Sequence, residues 1–284
     1  MIVTIVGTGL IGGSMALDLR AKHFATKILG VEKNKHHAKE AMMFGTVDEI
    51  ETLSKSIPIS DLIIIAIPVA ETIKILPFIL DKIKNGAVVT DVGSTKNDIC
   101  NSVKNHPNRK QFVPSHPIAG TENSGPKAAM KNLFEGKMTI LCNKKNCHPD
   151  AIALVKNMYE ILGMKILFMD SKDHDIHVAY VSHISHISSF MLATTVLDME
   201  KNTSTIFNLA GSGFASTVRL GKSSPEMWAP IFLQNSKNIS QALGTYIKEL
   251  TEFKNFVDEK DYKKMFKAMK KANGIRKVLE GKKL

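Results

Sequence analysis

The sequence predicts an α/β fold in which an N-terminal parallel sheet with helices is followed by an all-helical C-terminal domain. β-rich runs alternate with helical patterns as far as Asp170, which is typical of parallel sheets with right-handed crossovers. From Ser171 onward the β-rich runs stop and long helical patterns take over. A chain of 284 residues is long enough for two domains. We therefore expect one domain over 1–170 and a second over 171–284.

Seven β-rich runs predict the strands of the sheet. The run LIIIAIPVA is apolar throughout, which is typical of a strand buried on both faces, and it is too short to span a bilayer. Stretches with apolar residues at helical spacing lie between several of the runs. In chain order the runs are Ile2–Val6, Lys27–Val31 and the stretches LIIIAI, AVVTDV, QFVPS, KMTILCN and KILFMD.

The first run ends in the stretch GTGLIG, which opens a helical pattern. In a G-x-G-x-x-G turn the first glycine permits the tight turn and the second lets the backbone approach a pyrophosphate. The third allows the helix to lie close to the strand, and the helix N–H groups face the phosphates. The position directly between strand and helix predicts a Rossmann-type dinucleotide site rather than a purely structural turn. Its residues are Gly7, Thr8, Gly9, Leu10, Ile11 and Gly12.

An acidic residue at the end of the second run indicates which dinucleotide binds. Glu32 lies 20 residues beyond Gly12, where an acidic side chain accepts the ribose 2′-hydroxyl. Its charge would repel a 2′-phosphate, an effect that the adjacent Lys33 could soften. We therefore expect NAD, in preference to NADP, as the cofactor.

Polar loops follow three of the later runs. In open parallel sheets the site lies outside the carboxyl ends of the strands, so these loops should meet at one edge. Each could be ordinary turn chemistry when taken alone, but together, beside a cofactor, they indicate a functional site. Their candidate residues are Pro68 after the third run, Asp91, Ser94 and Lys96 at and after the end of the fourth, and His116, Thr121 and Glu122 after the fifth.

The helical half contains a second polar cluster, in the stretch DHDIHVAYVSHISHISSF. Helical spacing places Asp175, Ala179, Ser182 and His186 on one face, with His183 one position around from Ser182. We expect His174 and His177 to be surface or hydrogen-bonded residues. No metal site is expected here or in CNKKNCH, because neither stretch supplies four matched ligands.

A glycine-rich turn is predicted before Arg219, and Trp228 follows on the next helical pattern. Arg219 could be an ordinary surface arginine. Near a histidine cluster in a cofactor cleft, it could instead form a bidentate clamp for a carboxylate.

Composition narrows the possible partners and compartment. The formal net charge is +11, but the lysines are interleaved with acidic residues and no nucleic-acid module is recognisable, so nucleic-acid binding is not expected. Three cysteines without framework spacing indicate a reducing compartment. The N-terminus lacks the features of a signal peptide, so we expect a cytoplasmic protein that does not bind membranes.

In this order, the stretches GTGLIGGS, DVGSTK, SHPIAGTENSG, DHDIHVAYVSHISH, GSGFASTVR and PEMW resemble those of the prephenate dehydrogenase family across essentially the whole chain. The HPIAGTE and SHxxH stretches are far more specific than the glycine pattern. The resemblance implies NAD-linked oxidative decarboxylation of prephenate to 4-hydroxyphenylpyruvate, in tyrosine biosynthesis. It also implies a homodimer that forms through the helical domain.

The same resemblance implies roles for individual residues. His116 would be the catalytic histidine that accepts a hydrogen bond from the ring C4 hydroxyl, and Ser94 would orient that hydroxyl and the nicotinamide. Arg219 would hold a substrate carboxylate. The remaining substrate-pocket residues would be Thr121, Glu122, Asp175, Ser182, His183, His186 and Trp228, with Asp175 in a supporting role.

Three alternatives stay open at this point. Arogenate dehydrogenases use the same mechanism, and the segment Phe214–Ser216 stands where some relatives place an Arg-Asp pair. A β-hydroxyacid dehydrogenase could use Lys237 and Asn238, although it would leave His116 unexplained. A protein that senses NAD, or a basic protein that binds nucleic acid, is the third alternative.

Overall fold

The computed structural model describes residues 1–121, 123–203 and 210–280. Its sheet has eight strands, and seven of them coincide with the β-rich runs. The strands are β1 (Ile2–Val6), β2 (Lys27–Val31), β3 (Glu49–Ile50), β4 (Leu62–Ile65), β5 (Val88–Asp91), β6 (Phe112–Pro117), β7 (Met138–Cys142) and β8 (Lys165–Met169). The α/β class with a helical C-terminal part is therefore confirmed.

The strand order is β3-β2-β1-β4-β5-β6-β7-β8, and every pairing except one is parallel. The exception is the antiparallel pair of β6 and β7, in which His116 lies opposite Ile140. No α-helix lies between these two strands in the described chain, so β7 returns along β6 without the crossover that a parallel pair needs. The sequence predicted a parallel sheet throughout, and this one pairing differs.

The additional strand, β3, has only two residues, which pair with Leu29 and Gly30 of β2. No β-rich run in the sequence predicts this strand. Its extended backbone depends on pairing with the neighbouring strand rather than on its own residue types.

Two apolar clusters cover the two faces of the sheet. Alternate residues of a strand point to opposite faces, so Ile64 of β4 belongs to one cluster and Ile63 and Ile65 to the other. Met15 of the first helix lies in the cluster with Ile64, and Leu76 of the fourth helix lies in the other. Burial on both faces explains why β4 is apolar at every position.

Two compact units make up the fold, Met1–Ser236 and the chain from Lys237 onward. The predicted domain boundary near Asp170 stays a prediction. The helices that begin in the first unit are α1 (Leu10–Ala21), α2 (Lys35–Met43), α3 (Leu53–Ser56), α4 (Val69–Lys82), α5 (Asn97–Ser102), α6 (Pro149–Ile161), α7 (Ser171–Val178), α8 (Ile184–Thr203), α9 (Ser212–Thr217), α10 (Pro225–Gln234) and α11 (Ser236–Asp258). The second unit contains the rest of α11, together with α12 (Tyr262–Ala272) and α13 (Ile275–Leu279).

The helical half differs from the sequence prediction in two places. A π-helical segment, Ala179–His183, separates α7 from α8 within what looked like one helical pattern. The glycine-rich turn expected before Arg219 is a short helix, α9, which begins after Gly211. In the described parts of the chain, no helix combines the length and the apolar character needed to cross a bilayer.

Candidate active site

The glycine turn between β1 and α1 has the geometry of a dinucleotide cradle. Gly7 has a φ of +94°, in the left-handed region, and a Cβ there would lie 2.5 Å from the Ala66 carbonyl oxygen. A Cβ on Gly12 would overlap the Gly7 carbonyl oxygen, so this glycine permits the close contact between helix and strand. Gly9 caps α1, and a Cβ there would meet nothing within 4 Å. The space outside Gly9 is therefore open to a ligand.

The carboxylate of Glu32 closes one side of this cradle. The backbone N–H and the hydroxyl of Thr8 donate to Glu32 Oε2 at 3.2 and 3.3 Å, and the Asn34 N–H donates to Oε1 at 3.0 Å. No side chain caps the N-terminus of α1 and its first turn carries no acidic residue, so the N–H groups there can bind a phosphate. Open space at Gly9, free helix N–H groups and a carboxylate at the end of β2 together fit a dinucleotide without a 2′-phosphate.

The loop after β5 is held by a buried ion pair. Lys96 Nζ lies against Asp91 Oδ2 and donates to the Ser115 carbonyl oxygen at 2.8 Å, and both charged side chains are fully buried. This arrangement joins the ends of β5 and β6. Ser94 lies on the same loop and is partly exposed.

The same loop is tied to the helical part of the first unit. Asp175 on α7 accepts the Lys96 N–H at 2.7 Å through Oδ1 and the Asn97 N–H at 2.9 Å through Oδ2. Thr95 donates its hydroxyl to Gln234 Oε1 on α10 at 3.2 Å. Asp175 is buried and uses both oxygens in these contacts, so it supports the site by holding α7 against the loop.

His116 lies near the end of β6, and its side chain is partly buried. Its Nδ1 atom is 2.8 Å from His174 Nε2, and the two rings meet edge to face. Burial, followed by the charges of His174, Lys96 and His183, lowers the pKa of His116 well below the ordinary 6.5. His116 is therefore neutral at physiological pH and can accept a proton.

His174 and His177 each fit one half of the expectation of a surface or hydrogen-bonded residue. His177 is exposed, whereas His174 is completely buried and lies within hydrogen-bond distance of both His116 and Asp175. The contact between His174 and the predicted catalytic histidine was not expected from the sequence. Helical spacing contained the signal, because His174 lies four positions before the buried Val178.

The π-helical segment changes which residues share the buried face. Asp175, Ala179 and His183 are buried, while Ser182 is only partly buried, because the wider turn advances the side chains after it. His183 Nδ1 accepts from Asn235 Nδ2 at 3.2 Å. The predicted face with Ser182 in this row is therefore corrected to one with His183.

A cluster formed by His186, Trp228 and Arg219 lies next to this face. The ring of His186 stacks on Trp228, with centroids 3.5 Å apart, and its Nδ1 donates to the Ser182 carbonyl oxygen at 3.1 Å. Burial lowers the pKa of His186, partly opposed by the hydrogen bond to the Ser182 carbonyl oxygen, and the charge of Arg219 lowers it further. Arg219 begins the short segment Arg219–Lys222, which packs against α8, the helix that carries His186. Trp228 is buried, and its Nε1 has no hydrogen-bond partner among the described residues.

The remaining predicted residues lie in loops. Pro68 is exposed and precedes the first residue of α4. Thr121 accepts the Asn123 N–H at 3.2 Å and lines an open pocket of about 570 Å³. Glu122 lies outside the described residues, so its role stays a prediction.

The buried His183 makes stability depend on pH. Burial lowers the pKa of His183 to about 4 from an ordinary 6.5. The unfolded chain therefore binds a proton that the folded chain excludes, and the stabilisation present above the ordinary value is lost as the pH falls from 6.5 toward 4. This one group should remove about 2 kcal/mol of unfolding free energy near pH 5.

Urea unfolding of wild type and His183→Gln at the same protein concentration measures this effect. The difference in unfolding free energy between wild type and His183→Gln should be about 2 kcal/mol less in favour of wild type near pH 5 than near neutral pH. The reason is that the variant has no imidazole to protonate. His177→Gln, on the exposed side of α7, is the matched control and should show no such change. A pH-independent difference between wild type and His183→Gln would contradict the prediction.

Comparison with protein families gives two matches that together span most of the chain. Residues 15–168 match the model described as "Prephenate dehydrogenase, nucleotide-binding domain". Residues 170–271 match the model described as "Prephenate dehydrogenase, dimerization domain".

Individual relatives agree with these matches. Prephenate dehydrogenase of Bacillus subtilis is 30% identical over 277 residues, which are 96% of this chain and 75% of that protein. The crystal structure of prephenate dehydrogenase from A. aeolicus, in complex with hydroxyphenyl propionate and NAD+, is 31% identical, covers 98% of both chains and gives a TM-score of 0.86. Synechocystis arogenate dehydrogenase is 28% identical, with a TM-score of 0.80 over 98% of this chain and 100% of that one.

Proposed function

The chain belongs to the prephenate dehydrogenase family, and from this premise we propose that it oxidises and decarboxylates prephenate to 4-hydroxyphenylpyruvate with NAD. The observation that carries the proposal is the arrangement of His116. It is a neutral, partly buried imidazole at the end of a sheet strand, in the same compact unit as the glycine cradle and the Arg219 cluster.

NAD, when bound in the glycine cradle, supplies the acceptor for the hydride that leaves C4 of the substrate. His116 accepts the proton of the C4 hydroxyl at Nε2, the ring nitrogen that does not face His174. Ser94, on the loop after β5, orients that hydroxyl. The positive charge of Arg219 binds a substrate carboxylate.

Loss of the hydride and the hydroxyl proton leaves a dienone with a carboxylate on C1. The bond between C1 and the carboxyl carbon then breaks, CO₂ leaves, and its electron pair makes the ring aromatic. The resulting phenolate oxygen takes back the proton from His116. The protein therefore has to promote only the first step, and the gain of aromaticity drives the second.

Arogenate is the alternative substrate, and its oxidation would follow the same steps. The family matches include prephenate and arogenate dehydrogenases, so substrate preference needs its own test. We expect kcat/KM to be higher for prephenate than for arogenate, measured as the initial rate of NADH formation. A higher value for arogenate would keep the mechanism and replace the proposed substrate.

Replacement of Arg219 by alanine should raise the KM for prephenate by roughly tenfold, because a charge-assisted hydrogen bond to a carboxylate is lost. The KM for NAD should stay unchanged. Lys222→Ala is the matched control, since Lys222 is the other cation of the segment Arg219–Lys222 and is also exposed. An effect of Arg219→Ala on NAD alone would contradict the proposed clamp.

Replacement of Glu32 by alanine should reduce the preference for NAD over NADP by roughly tenfold or more, because the carboxylate that repels a 2′-phosphate is gone. The ratio of kcat/KM for the two cofactors measures this preference. Glu49→Ala, which removes a half-buried carboxylate paired with Lys27, should leave the ratio unchanged. If discrimination persists in Glu32→Ala, Glu32 does not bind the ribose.

We also propose that the chain forms a homodimer through its helical part, as the match of 170–271 to a dimerization domain suggests. Several large apolar side chains of α8 are exposed in the single chain, among them Met191 and Leu197. Light scattering should give about twice the chain mass of 31.3 kDa, and a monomer at assay concentration would contradict this.

A further inference from the structure

A continuous chain of hydrogen bonds leads from a buried carboxylate to His116. Asp175 Oδ1 lies 2.8 Å from His174 Nδ1, and His174 Nε2 lies 2.8 Å from His116 Nδ1. All four atoms belong to side chains of the first compact unit. The second nitrogen of His116, Nε2, has no hydrogen-bond partner among the residues that the structure describes.

The positions of the protons along this chain follow from its carboxylate end. Asp175 already accepts two backbone N–H groups, from Lys96 and Asn97, so its oxygens act as acceptors. The His174 Nδ1 atom must then carry a hydrogen and donate it to Asp175. Burial lowers the pKa of His174, partly opposed by Asp175, so the ring is neutral and its Nε2 holds a lone pair.

A lone pair on His174 Nε2 can only accept, so His116 Nδ1 must be the donor. We propose that His174 is a positioning residue that holds His116 in the tautomer with hydrogen on Nδ1, which leaves the Nε2 lone pair facing the substrate. The proposal deepens the proposed function, because it rests on His116 acting as the base. In serine proteases a buried aspartate fixes the catalytic imidazole in a comparable way.

The alternative tautomer would disable the site. If His116 carried its hydrogen on Nε2, it would present a donor to the C4 hydroxyl and could not take the hydroxyl proton. Protonation of His174 would impose this state, since both of its nitrogens would then donate. The charged and titratable groups around the two rings are Lys96, Asp91, Asp175 and His183, and burial together with Lys96 keeps His174 neutral.

Two substitutions of His174 distinguish a role in orienting His116 through hydrogen bonds from a role in packing alone. His174→Gln can donate its amide N–H to Asp175 and accept from His116 through its carbonyl oxygen, so it preserves the pattern. His174→Phe preserves the ring shape and removes both hydrogen bonds. We expect kcat for prephenate to fall roughly 10²-fold in His174→Phe and to stay within about threefold of wild type in His174→Gln.

The opposite ranking, with Phe active and Gln impaired, would show that His174 only fills space and would overturn the proposal. His177→Phe, on the exposed side of α7, is the matched control and should behave as wild type. Thermal unfolding of each variant identifies any loss that is caused by misfolding.

A spectroscopic measurement decides the tautomer without any turnover. In protein labelled with ¹⁵N-histidine, long-range proton–nitrogen correlation spectra at neutral pH report which ring nitrogen carries hydrogen, and the His116→Asn variant identifies the His116 signals. We expect Nδ1 of His116 to be protonated and Nε2 to be unprotonated. A protonated Nε2 would overturn the proposal even if prephenate is turned over, and the expected spectrum would support it even if the proposed substrate is wrong.

Discussion

The His116→Asn variant is expected to turn over prephenate at least about 10²-fold more slowly than the wild type, because asparagine cannot accept the C4 hydroxyl proton at neutral pH. The residue is placed to accept it, since burial keeps the ring neutral and His174 occupies only one of its nitrogens. Steady-state NADH formation measures kcat, and titration with NAD measures whether the cofactor site is intact. NAD affinity should not change.

The control for this substitution is His177→Asn, which makes the same change at an exposed histidine. It should leave kcat unchanged. Turnover near the wild-type value in His116→Asn would remove His116 from its role as base, and the mechanism would then need another proton acceptor.

The second large effect is expected at the glycine cradle, where two substitutions of the same size should act differently. Gly12→Ala places a methyl group on the backbone carbonyl of Gly7, which cannot move without displacing the end of β1. We expect a loss of about 2 kcal/mol or more in unfolding free energy, together with weaker NAD binding. Urea unfolding and NAD titration measure the two effects.

Gly9→Ala is the matched variant, because its Cβ meets nothing within 4 Å and its φ of −72° suits any residue. Its stability should change by less than about 1 kcal/mol. NAD affinity should nevertheless fall at least about tenfold, since the methyl group occupies the space where a pyrophosphate would approach. Unchanged NAD affinity in Gly9→Ala would mean that the dinucleotide does not lie against this turn.

Seven of the strands could be predicted from the sequence because they form short β-rich runs, of which the fully buried β4 is apolar at every position. The strand β3 could not be predicted, since its two residues are extended only through their pairing with β2. The antiparallel direction of β7 could not be predicted either. The positions of apolar residues do not specify whether a strand runs parallel or antiparallel to its neighbour.

Site residues could be predicted from the sequence where a position between strand and helix, or at a strand end, requires one particular residue type. The glycines of the cradle and Glu32 are such residues, and the structure brings them together. His174 and His177 could not be distinguished from the sequence. They are the same residue type, three positions apart on one helix, and only the packing of α7 buries His174. The π-helical segment likewise depends on packing, and it replaced Ser182 by His183 on the buried face.

Product formation by the purified chain supplied with NAD and prephenate tests the proposed oxidative decarboxylation directly. We expect NADH and 4-hydroxyphenylpyruvate in equal amounts, with release of CO₂, and loss of both products in His116→Asn. If the protein binds NAD but forms NADH from neither prephenate nor arogenate, the proposed reaction is wrong.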